Sequence, residues 1–456
     1  MEHDIFWQPV SLPSGTSLEN WNGVLRGFLS HAAATPAYLA AVLDAEPDFA
    51  KAHAIKGLFL LLLGRRELIA DAGDALRNAR AAAARTAPLP NEAPYIEALA
   101  DWMADRPEKA VERFEGVLTL QPDDTLAMKL GHAIRFVLGD GPGMRASIER
   151  VLPAYAPDHP GRGYLLGCQA FALEETGAYL QAEIAGRQAL WMASDDAWGL
   201  HAVAHVHDMT GNASRGLDWL SGREAAWAHC NNFRYHVSWH KALMLLDLGR
   251  TETVLELYDR EIRKDRTDDH RDISNATSLL MRLELNGVDV GARWDELADL
   301  SAERTEDGCL IFADLHYLMA LTRGGRDGAV ADLLGRLHSD ANRADCVMSR
   351  RMAQPGVPAA LGLEAFGDGN YADAFGHLVR ARETMQLAGG SHAQRDVFER
   401  ITIDAGLRAG LLDATETLLD DRRRNRGGHE DGYSAARRAL IASGRDAATR
   451  QRVPAE

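Results

Sequence analysis

The pattern of apolar and polar positions predicts helices along the whole chain. Apolar residues recur at helical spacing, and the alternating pattern typical of strands is nearly absent. Acidic residues that suit a helix N-cap precede several apolar segments, at Asp123-Asp124, Asp158 and Asp195-Asp196. Glu46-Pro47-Asp48 opens an earlier segment of the same kind. The sequence therefore predicts a series of similar helical units.

A series of glycines marks the predicted end of the first helix in each unit. Glycine tolerates the left-handed conformation that stops a helix, and it recurs at Gly139, Gly177, Gly211, Gly249 and Gly287. A period of about 34 to 38 residues built from two helices is typical of a tetratricopeptide array. Dividing the chain by this period predicts roughly ten to twelve helix pairs. The predicted fold is an all-α solenoid, a strongly curled superhelix of helix–turn–helix repeats.

The array accounts for most of the chain. We predict an N-terminal segment over residues 1–20 and a continuous helical-repeat array over residues 21–421. Residues 422–456 are predicted to form a solvated, arginine-rich loop followed by a C-terminal capping helix.

Composition and charge narrow the class of protein. The chain is 46% apolar and 25% charged, which is ordinary for a globular protein. A net charge of −16 argues against a broad phosphate-binding surface, so we expect no nucleic-acid partner. The four cysteines are far apart and indicate reduced thiols. The acidic start of the chain and an aliphatic run of only residues 58–63 predict a cytoplasmic protein without a membrane partner. The oligomeric state stays open.

Histidines concentrate in the middle of the chain. Two pairs, His201 with His205 and His236 with His240, are each four residues apart, so each pair shares one face of its helix. Counted back from the glycine that ends each helix, the four positions span only about 100° of arc. Both pairs are therefore predicted to point the same way, toward the concave surface that first helices line in such solenoids.

Carboxylates are predicted on the same stripe. Glu174 and Asp208 each lie three residues before their closing glycine, and Asp314 joins them if Gly324 ends its helix. The candidate catalytic set is His201, His205, His236, His240, Glu174 and Asp208. A second set of candidate ligand contacts consists of Trp239, Asp314, His392, Arg395 and Asp396. The last three belong to a C-terminal segment, which reaches the site only if the superhelix curls through nearly a full turn.

The four histidines allow three kinds of role. Imidazole is a good zinc ligand and a four-residue step lets one helix supply two ligands, so Zn²⁺ or another divalent metal is a candidate cofactor. The HExxH motif that supplies the base of zinc proteases is missing. Without a metal the imidazoles suit general acid–base chemistry near neutral pH, or ordinary packing in the core.

Several phrases of the sequence resemble one repeat family. They include Asp196-Ala197-Trp198, residues 201–207, Gly291-Ala292-Arg293-Trp294 and, near the C-terminus, residues 389–396. On these phrases the chain resembles the family of tetratricopeptide repeat protein 38 over most of its length. The resemblance implies the tetratricopeptide fold. It brings no known activity and therefore no catalytic residue.

The function predicted from these features is a concave pocket that binds a small polar molecule or short peptide. Hydrolysis or another acid–base reaction is the candidate chemistry. The alternatives are a protein-interaction scaffold without catalytic activity and a structural role without a distinct site. Scaffolds that hold acidic peptides present Lys, Arg and Asn in their groove, whereas this stripe presents His and carboxylates, which favours the pocket.

Overall fold

The structure is a computed structural model that describes residues 2–343 and 346–452, and it is an all-α solenoid of tetratricopeptide type. One short hairpin precedes the helices, with β1 (Glu2–His3) antiparallel to β2 (Pro9–Val10). The helices are α1 Thr16–Leu29, α2 Thr35–Ala45, α3 Ala50–Leu62, α4 Leu68–Arg85, α5 Ala93–Met103, α6 Pro107–Leu120, α7 Thr125–Val137, α8 Gly141–Val151, α9 Arg162–Glu175, α10 Tyr179–Met192, α11 Ala197–Met209, α12 Ala213–Leu220, α13 Phe233–Asp247, α14 Thr251–Leu257, α15 His270–Leu285, α16 Arg293–Ala302, α17 Ile311–Arg323, α18 Asp327–Ala341, α19 Val347–Arg351, α20 Val357–Gly367, α21 Tyr371–Arg382, α22 His392–Arg408, α23 Leu412–Asn425 and α24 Gly432–Arg452. Short 3-10 or π turns are Leu152–Ala154, Glu224–Ala226, Tyr258–Ile262, Met352–Gly356 and Met385–Ala388.

The first helix of every pair ends in the same way. Two residues beyond its last residue the backbone is left-handed, with φ between 58° and 79°, a conformation that costs little at glycine. In the described part of the chain this position recurs eleven times, at His31, Gly64, Asp105, Gly139, Gly177, Gly211, Gly249, Gly287, Gly325, Gly369 and Gly410. The structure thus has eleven helix pairs over its described residues, within the predicted ten to twelve. Gly325, and not Gly324, holds this position after α17, which corrects the predicted register of that repeat by one residue.

Two of the predicted N-caps are confirmed. The Asp124 carboxylate accepts the backbone N–H of Ala127 at 2.9 Å, and Asp196 accepts that of Gly199 at 3.1 Å. Asp158 does not cap α9, which begins only at Arg162. A proline at position 160 disfavours helical backbone in the residue before it, so the helix starts later than predicted.

The superhelix closes on itself. Near the N-terminus, Asn231 donates its backbone N–H to the carbonyl of His31 at 2.8 Å, which joins the first pair to the loop before α13. On the other side, Arg351 donates to the carbonyl of Leu138 at 2.8 Å. The first helices of distant repeats therefore face one another across a common interior.

The arginine-rich segment differs from the predicted solvated loop. Residues 422–425 form the last turn of α23, and Arg422 and Arg426 are buried. Arg422 donates two hydrogen bonds to the Asp431 carboxylate, at 2.8 and 2.6 Å. Because a buried carboxylate balances their charge, these arginines pack inside instead of facing water.

Two further expectations concern the cysteines and the possibility of a membrane-spanning helix. The four cysteines are free thiols. Among the described residues, no helix combines the length and the apolar character that crossing a bilayer requires.

Candidate functional site

The four predicted histidines meet in the interior. They come from α11 and α13, and each offers a ring nitrogen that lies within 4.8 Å of those of the other three. His205 and His240 are fully buried, with ring centres 4.3 Å apart. The Nε2 atoms of His236 and His240 are 3.1 Å apart. We call these four residues the histidine cluster.

Nδ1 of three of the rings faces an acceptor. His201 faces the carbonyl oxygen of Trp198, His205 lies 3.4 Å from a carboxylate oxygen of Glu174, and His236 is 3.1 Å from Oδ1 of Asn275. With the ring proton of His201 and His236 on Nδ1, where these acceptors lie, Nε2 of each ring keeps its lone pair, whereas the Glu174 carboxylate favours the doubly protonated ring of His205. This is the arrangement by which outer groups orient imidazole ligands.

Three of the four cluster histidines are neutral, and several buried polar atoms of the cluster lack hydrogen-bond partners. Burial lowers the pKa of His236 to about 3 and holds the pKa of His201 and His240 well below the usual value, so these three rings are neutral. Burial alone would lower the pKa of His205 too, but the Glu174 carboxylate outweighs it and raises that pKa. Both ring nitrogens of His205, Nδ1 of His240 and both carboxylate oxygens of Glu174 have no hydrogen-bond partner among the described residues, so Glu174 acts on His205 through charge. Buried polar atoms without partners destabilise a protein, so their presence here needs an explanation such as a bound ion.

A cavity of about 370 Å³ opens beside the cluster. His201 and His236 form part of its wall, whereas His205 and His240 lie behind them. The rest of the wall is mostly apolar, and its aromatic members are Phe28, Phe59, Phe136, Phe171, Trp198, Phe233 and Phe312. An apolar cavity of this size with a few converging polar groups is typical of small-molecule sites.

Two predicted carboxylates do not join the cluster. The Asp208 carboxylate faces Arg426 at 3.7 Å. Asp314 is buried against Arg336, with an ion-pair distance of 2.6 Å. Each carboxylate is turned away by an arginine from another element, which the register within its own helix does not reveal. Of the predicted acidic residues, Glu174 alone lies against a cluster histidine.

Trp239 supports the cluster from behind. Its indole stacks on His236, with ring centres 5.3 Å apart and planes 16° apart, and it meets the edge of His240. The side chain is fully buried and is absent from the cavity wall, which corrects the prediction that it lines the pocket. Its role here is to hold two imidazoles in place.

The C-terminal segment reaches the middle repeats. Arg395 pairs with the Glu175 carboxylate at 3.1 Å, and the His392 ring bonds to the Glu175 carbonyl oxygen at 2.8 Å. Glu175 also stays near the cluster, since a carboxylate oxygen of Glu175, a carboxylate oxygen of Glu174 and a ring nitrogen of His205 all lie within 4.8 Å of one another.

The neighbouring loop forms part of the cavity wall. Residues 388–391 and Gln394 line the cavity, while Asp396 lies outside it and pairs with Arg400 and Arg422 at 2.6 and 2.9 Å. The predicted ligand contact at Asp396 is therefore replaced by a structural ion pair.

Several cavity residues were missed from the sequence. Lys129 and His132 come from α7, and His31 stands at the left-handed position after α1. Lys129 is ten residues before Gly139, the same register that His201 holds before Gly211. Extending the register count to every repeat would have found Lys129. No local signal identifies His31, which stands where most repeats have glycine.

No family model matches the chain. Among solved structures, the human IFIT1 dimer with PPP-AAAA is 13% identical over 95% of this chain and 96% of that chain, with a TM-score of 0.41. The human IFIT1 dimer with m7Gppp-AAAA is 14% identical over 88% and 90%, with a TM-score of 0.37. The structure of Naa15/Naa10 bound to HypK-THB is 14% identical over 90% of this chain and 63% of that chain, with a TM-score of 0.25.

The expected exclusion of nucleic acid is wrong. Two of the matched structures hold the human IFIT1 dimer with PPP-AAAA and with m7Gppp-AAAA. A net charge sums over the whole chain, whereas an enclosed interior has its own local charge. Here Lys129 and Arg271 line the cavity of an acidic protein.

Proposed function

We propose that the histidine cluster binds a divalent transition metal, such as Zn²⁺, beside a cavity that takes up a small molecule. Hydrolysis or another acid–base reaction of that molecule is the proposed chemistry. The observation that carries the proposal is the convergence of four imidazoles, two of which face the cavity. Imidazole is a preferred ligand of zinc and of neighbouring first-row metals.

The spacing of ring nitrogens is compatible with a metal site. Nε2 of His236 and Nε2 of His240 are 3.1 Å apart, a distance that fits a hydrogen bond between the two rings and also two ligands of one ion. Two ligands of one zinc ion, at bond lengths of about 2.0–2.1 Å, lie about 2.8–3.4 Å apart for tetrahedral or octahedral angles. A cation between the rings also supplies the missing partner of His205 Nε2.

The protein's own groups prepare this site. Glu174 orients His205, and the Trp198 carbonyl and Asn275 orient His201 and His236. The aromatic wall keeps bulk water away from a bound molecule, which strengthens electrostatic interactions inside. A bound metal supplies Lewis acidity and lowers the pKa of a coordinated water.

Two finer assignments belong to the same proposal. We assign the chain to the family of tetratricopeptide repeat protein 38 and to the cytoplasm. The phrases that carry the family resemblance coincide with the site: residues 201–207 contain two cluster histidines, and residues 389–396 border the cavity.

Metal analysis of the purified full-length protein tests the proposal. We expect near-stoichiometric metal in the wild type and its loss in the double variant His205→Ala, His240→Ala. His207→Ala is the matched control, because His207 is also buried on α11 but lies outside the cluster, and it should keep the metal. Metal-free wild-type protein whose melting temperature does not change on adding zinc would contradict the proposal.

An interaction scaffold is the second candidate. The outer face of α10 exposes Leu180, Ile184 and Trp191, at 70%, 50% and 86% of their surface, and their spacing places them on one side of the helix. A row of exposed apolar side chains suits a protein partner. This candidate becomes the first choice if the purified chain neither holds metal nor responds to it.

A further inference from the structure

A buried cation faces the cavity without a bound carboxylate. Lys129 is 4% exposed and lines the cavity, and its Nζ lies 4.7 Å from the centre of the Trp198 ring. Its hydrogen-bond contact is the sulfur of Cys168 at 3.8 Å. Among the described residues, no carboxylate oxygen comes within 4.0 Å of Nζ to form an ion pair. A buried ammonium without a counter-charge is costly.

The nearest candidates for a counter-charge are occupied or neutral. Burial raises the pKa of the Cys168 thiol to about 11, so the sulfur carries no charge near neutral pH. Asp196 is engaged as the N-cap of α11; burial raises the pKa of its carboxyl to about 7 although the Lys129 charge lowers it, so Asp196 is a partial counter-charge that forms no ion pair with Nζ. The other cationic side chain of the wall, Arg271, is already bound by both oxygens of Asp269, at 2.9 and 2.6 Å.

Two neutral imidazoles near Lys129 also have free positions. His132, three residues further along α7, is 3% exposed, and neither of its ring nitrogens has a partner among the described residues. Nε2 of His31 is likewise buried without a partner. The His31 ring lies parallel to Phe233, with ring centres 4.6 Å apart, and so continues the apolar wall. The cavity thus combines one cation without an ion-pair partner among the described residues, imidazole nitrogens without hydrogen bonds and flat aromatic surfaces.

We infer that the occupant of the cavity is a small organic carboxylate with an apolar body. Its carboxylate pairs with Lys129 and accepts a hydrogen bond from His132, while its body packs on the aromatic wall. One negative charge matches the single cation that lacks a partner, whereas a phosphate dianion would bring a second charge without a partner. This inference rests on the proposed function, since it takes the cavity to be a small-molecule site.

The position of Lys129 also connects this anchor to the histidine cluster. Trp198 lies against Lys129 on one side, and its ring centre is 4.5 Å from that of His201. A carboxylate held by Lys129 therefore stays in the part of the cavity that the cluster borders.

Binding of matched acids and amides to the full-length protein tests the inference. The probes are aryl and alkyl carboxylates of about six to twelve carbons, starting with 4-phenylbutanoate, each paired with its primary amide. We expect at least one acid to bind about tenfold more tightly than its amide in calorimetry, because the acid alone neutralises the buried ammonium. If no acid in the panel is preferred over its amide, the inference is wrong.

Lys129→Met keeps the length of the side chain and removes its charge. In this variant the preference for the acid should disappear while the amide binds as before. Without added ligand the variant should melt at or above the wild-type temperature, because a buried charge without a partner has been removed. A clearly lower melting temperature, or a retained acid preference, would overturn the inference and give Lys129 a structural role.

The two proposals fail separately. The Lys129→Met variant should keep its metal, and the double variant His205→Ala, His240→Ala should keep the preference for the acid. Acid preference in a protein that binds no metal would refute the metal centre alone. Metal binding without acid preference would refute the carboxylate site alone.

Discussion

The histidine cluster and the charged network near the C-terminus share one interior but satisfy their polar atoms differently. In the network, Asp431 accepts two hydrogen bonds from Arg422 and one from the backbone of Ser434 at 2.9 Å, and Asp396 pairs with Arg422 and Arg400. In the cluster, buried ring nitrogens remain without partners. Both carboxylates of the network are paired with arginines of the chain itself, and Nε of Arg426 is the network atom left without a hydrogen bond among the described residues, whereas the cluster leaves several ring nitrogens open.

This difference separates structural from functional burial of polar groups. The network joins α22, α23 and the start of α24, and its charges balance one another inside the protein. Buried polar groups that are fully paired hold elements together, whereas groups left open mark a place where something else binds. Variants in the two regions should therefore fail in different ways.

Breaking the network should have the largest effect. Asp431→Asn removes one negative charge that faces Arg422, Arg400 and Arg426 and leaves buried guanidinium groups without their counter-charge. We expect the free energy of unfolding to fall by about 3–5 kcal/mol, measured by urea denaturation. Metal content should not change.

The matched control is an exposed ion pair. Asp413, whose side chain is 95% exposed, pairs with Arg445 at 2.6 Å. Asp413→Asn should alter the free energy of unfolding by less than about 1 kcal/mol, because water screens exposed pairs. Equal losses in the two variants would show that burial does not distinguish the network.

Removing a charge beside the histidine cluster should lower its affinity for metal. Glu174→Gln removes the charge beside Nδ1 of His205 while keeping the shape of the side chain. We expect metal affinity to fall about 10- to 100-fold in a competition titration with a chelator. Asp208→Asn is the control, since its carboxylate faces Arg426 and should leave metal affinity unchanged. An equal loss in both variants would show that the effect is general to the fold.

The smallest effect should be that of mild acid on the network. Burial alone would raise the pKa of Asp431, but the charges of Arg422, Arg426 and Arg400 outweigh it and lower that pKa well below 3.8. A lowered pKa in the folded state adds stability that is fully present above the unfolded-state pKa and is lost as the pH falls through the folded-state value.

The difference in unfolding free energy between wild type and Asp431→Asn should therefore stay constant from pH 8 to pH 5 and shrink only below about pH 4. Urea denaturation at several pH values measures it. A difference that already disappears above pH 5 would be inconsistent with an ion pair as its source.

The fold was predictable because its signals are local. The left-handed residue two positions after a first helix is a glycine in most repeats, for example Gly139, Gly177 and Gly211, and is therefore visible in the sequence. The caps at Asp124 and Asp196 depend only on residues of their own helix. The histidine pairs were predictable for the same reason, since a four-residue step fixes a shared face.

The remaining site residues depend on distant repeats. Asp314 misses the predicted register by one residue and pairs with Arg336 on the following helix. Asp208 carries the right register, but Arg426 binds it from a distant repeat. Such competition between an inward stripe and a counter-ion is invisible until the superhelix has closed. The aromatic wall of the cavity likewise assembles from repeats far apart in sequence.

Closure of the superhelix also determines when the site forms during protein synthesis. The cavity takes walls from α1 and from the loop before α22, so its last wall is translated more than three hundred residues after its first. Until Ser391 and Gln394 have left the ribosome, the inner surface of the middle repeats is open to water. A nascent or truncated chain therefore presents its histidines to solvent, and only the finished protein shields them.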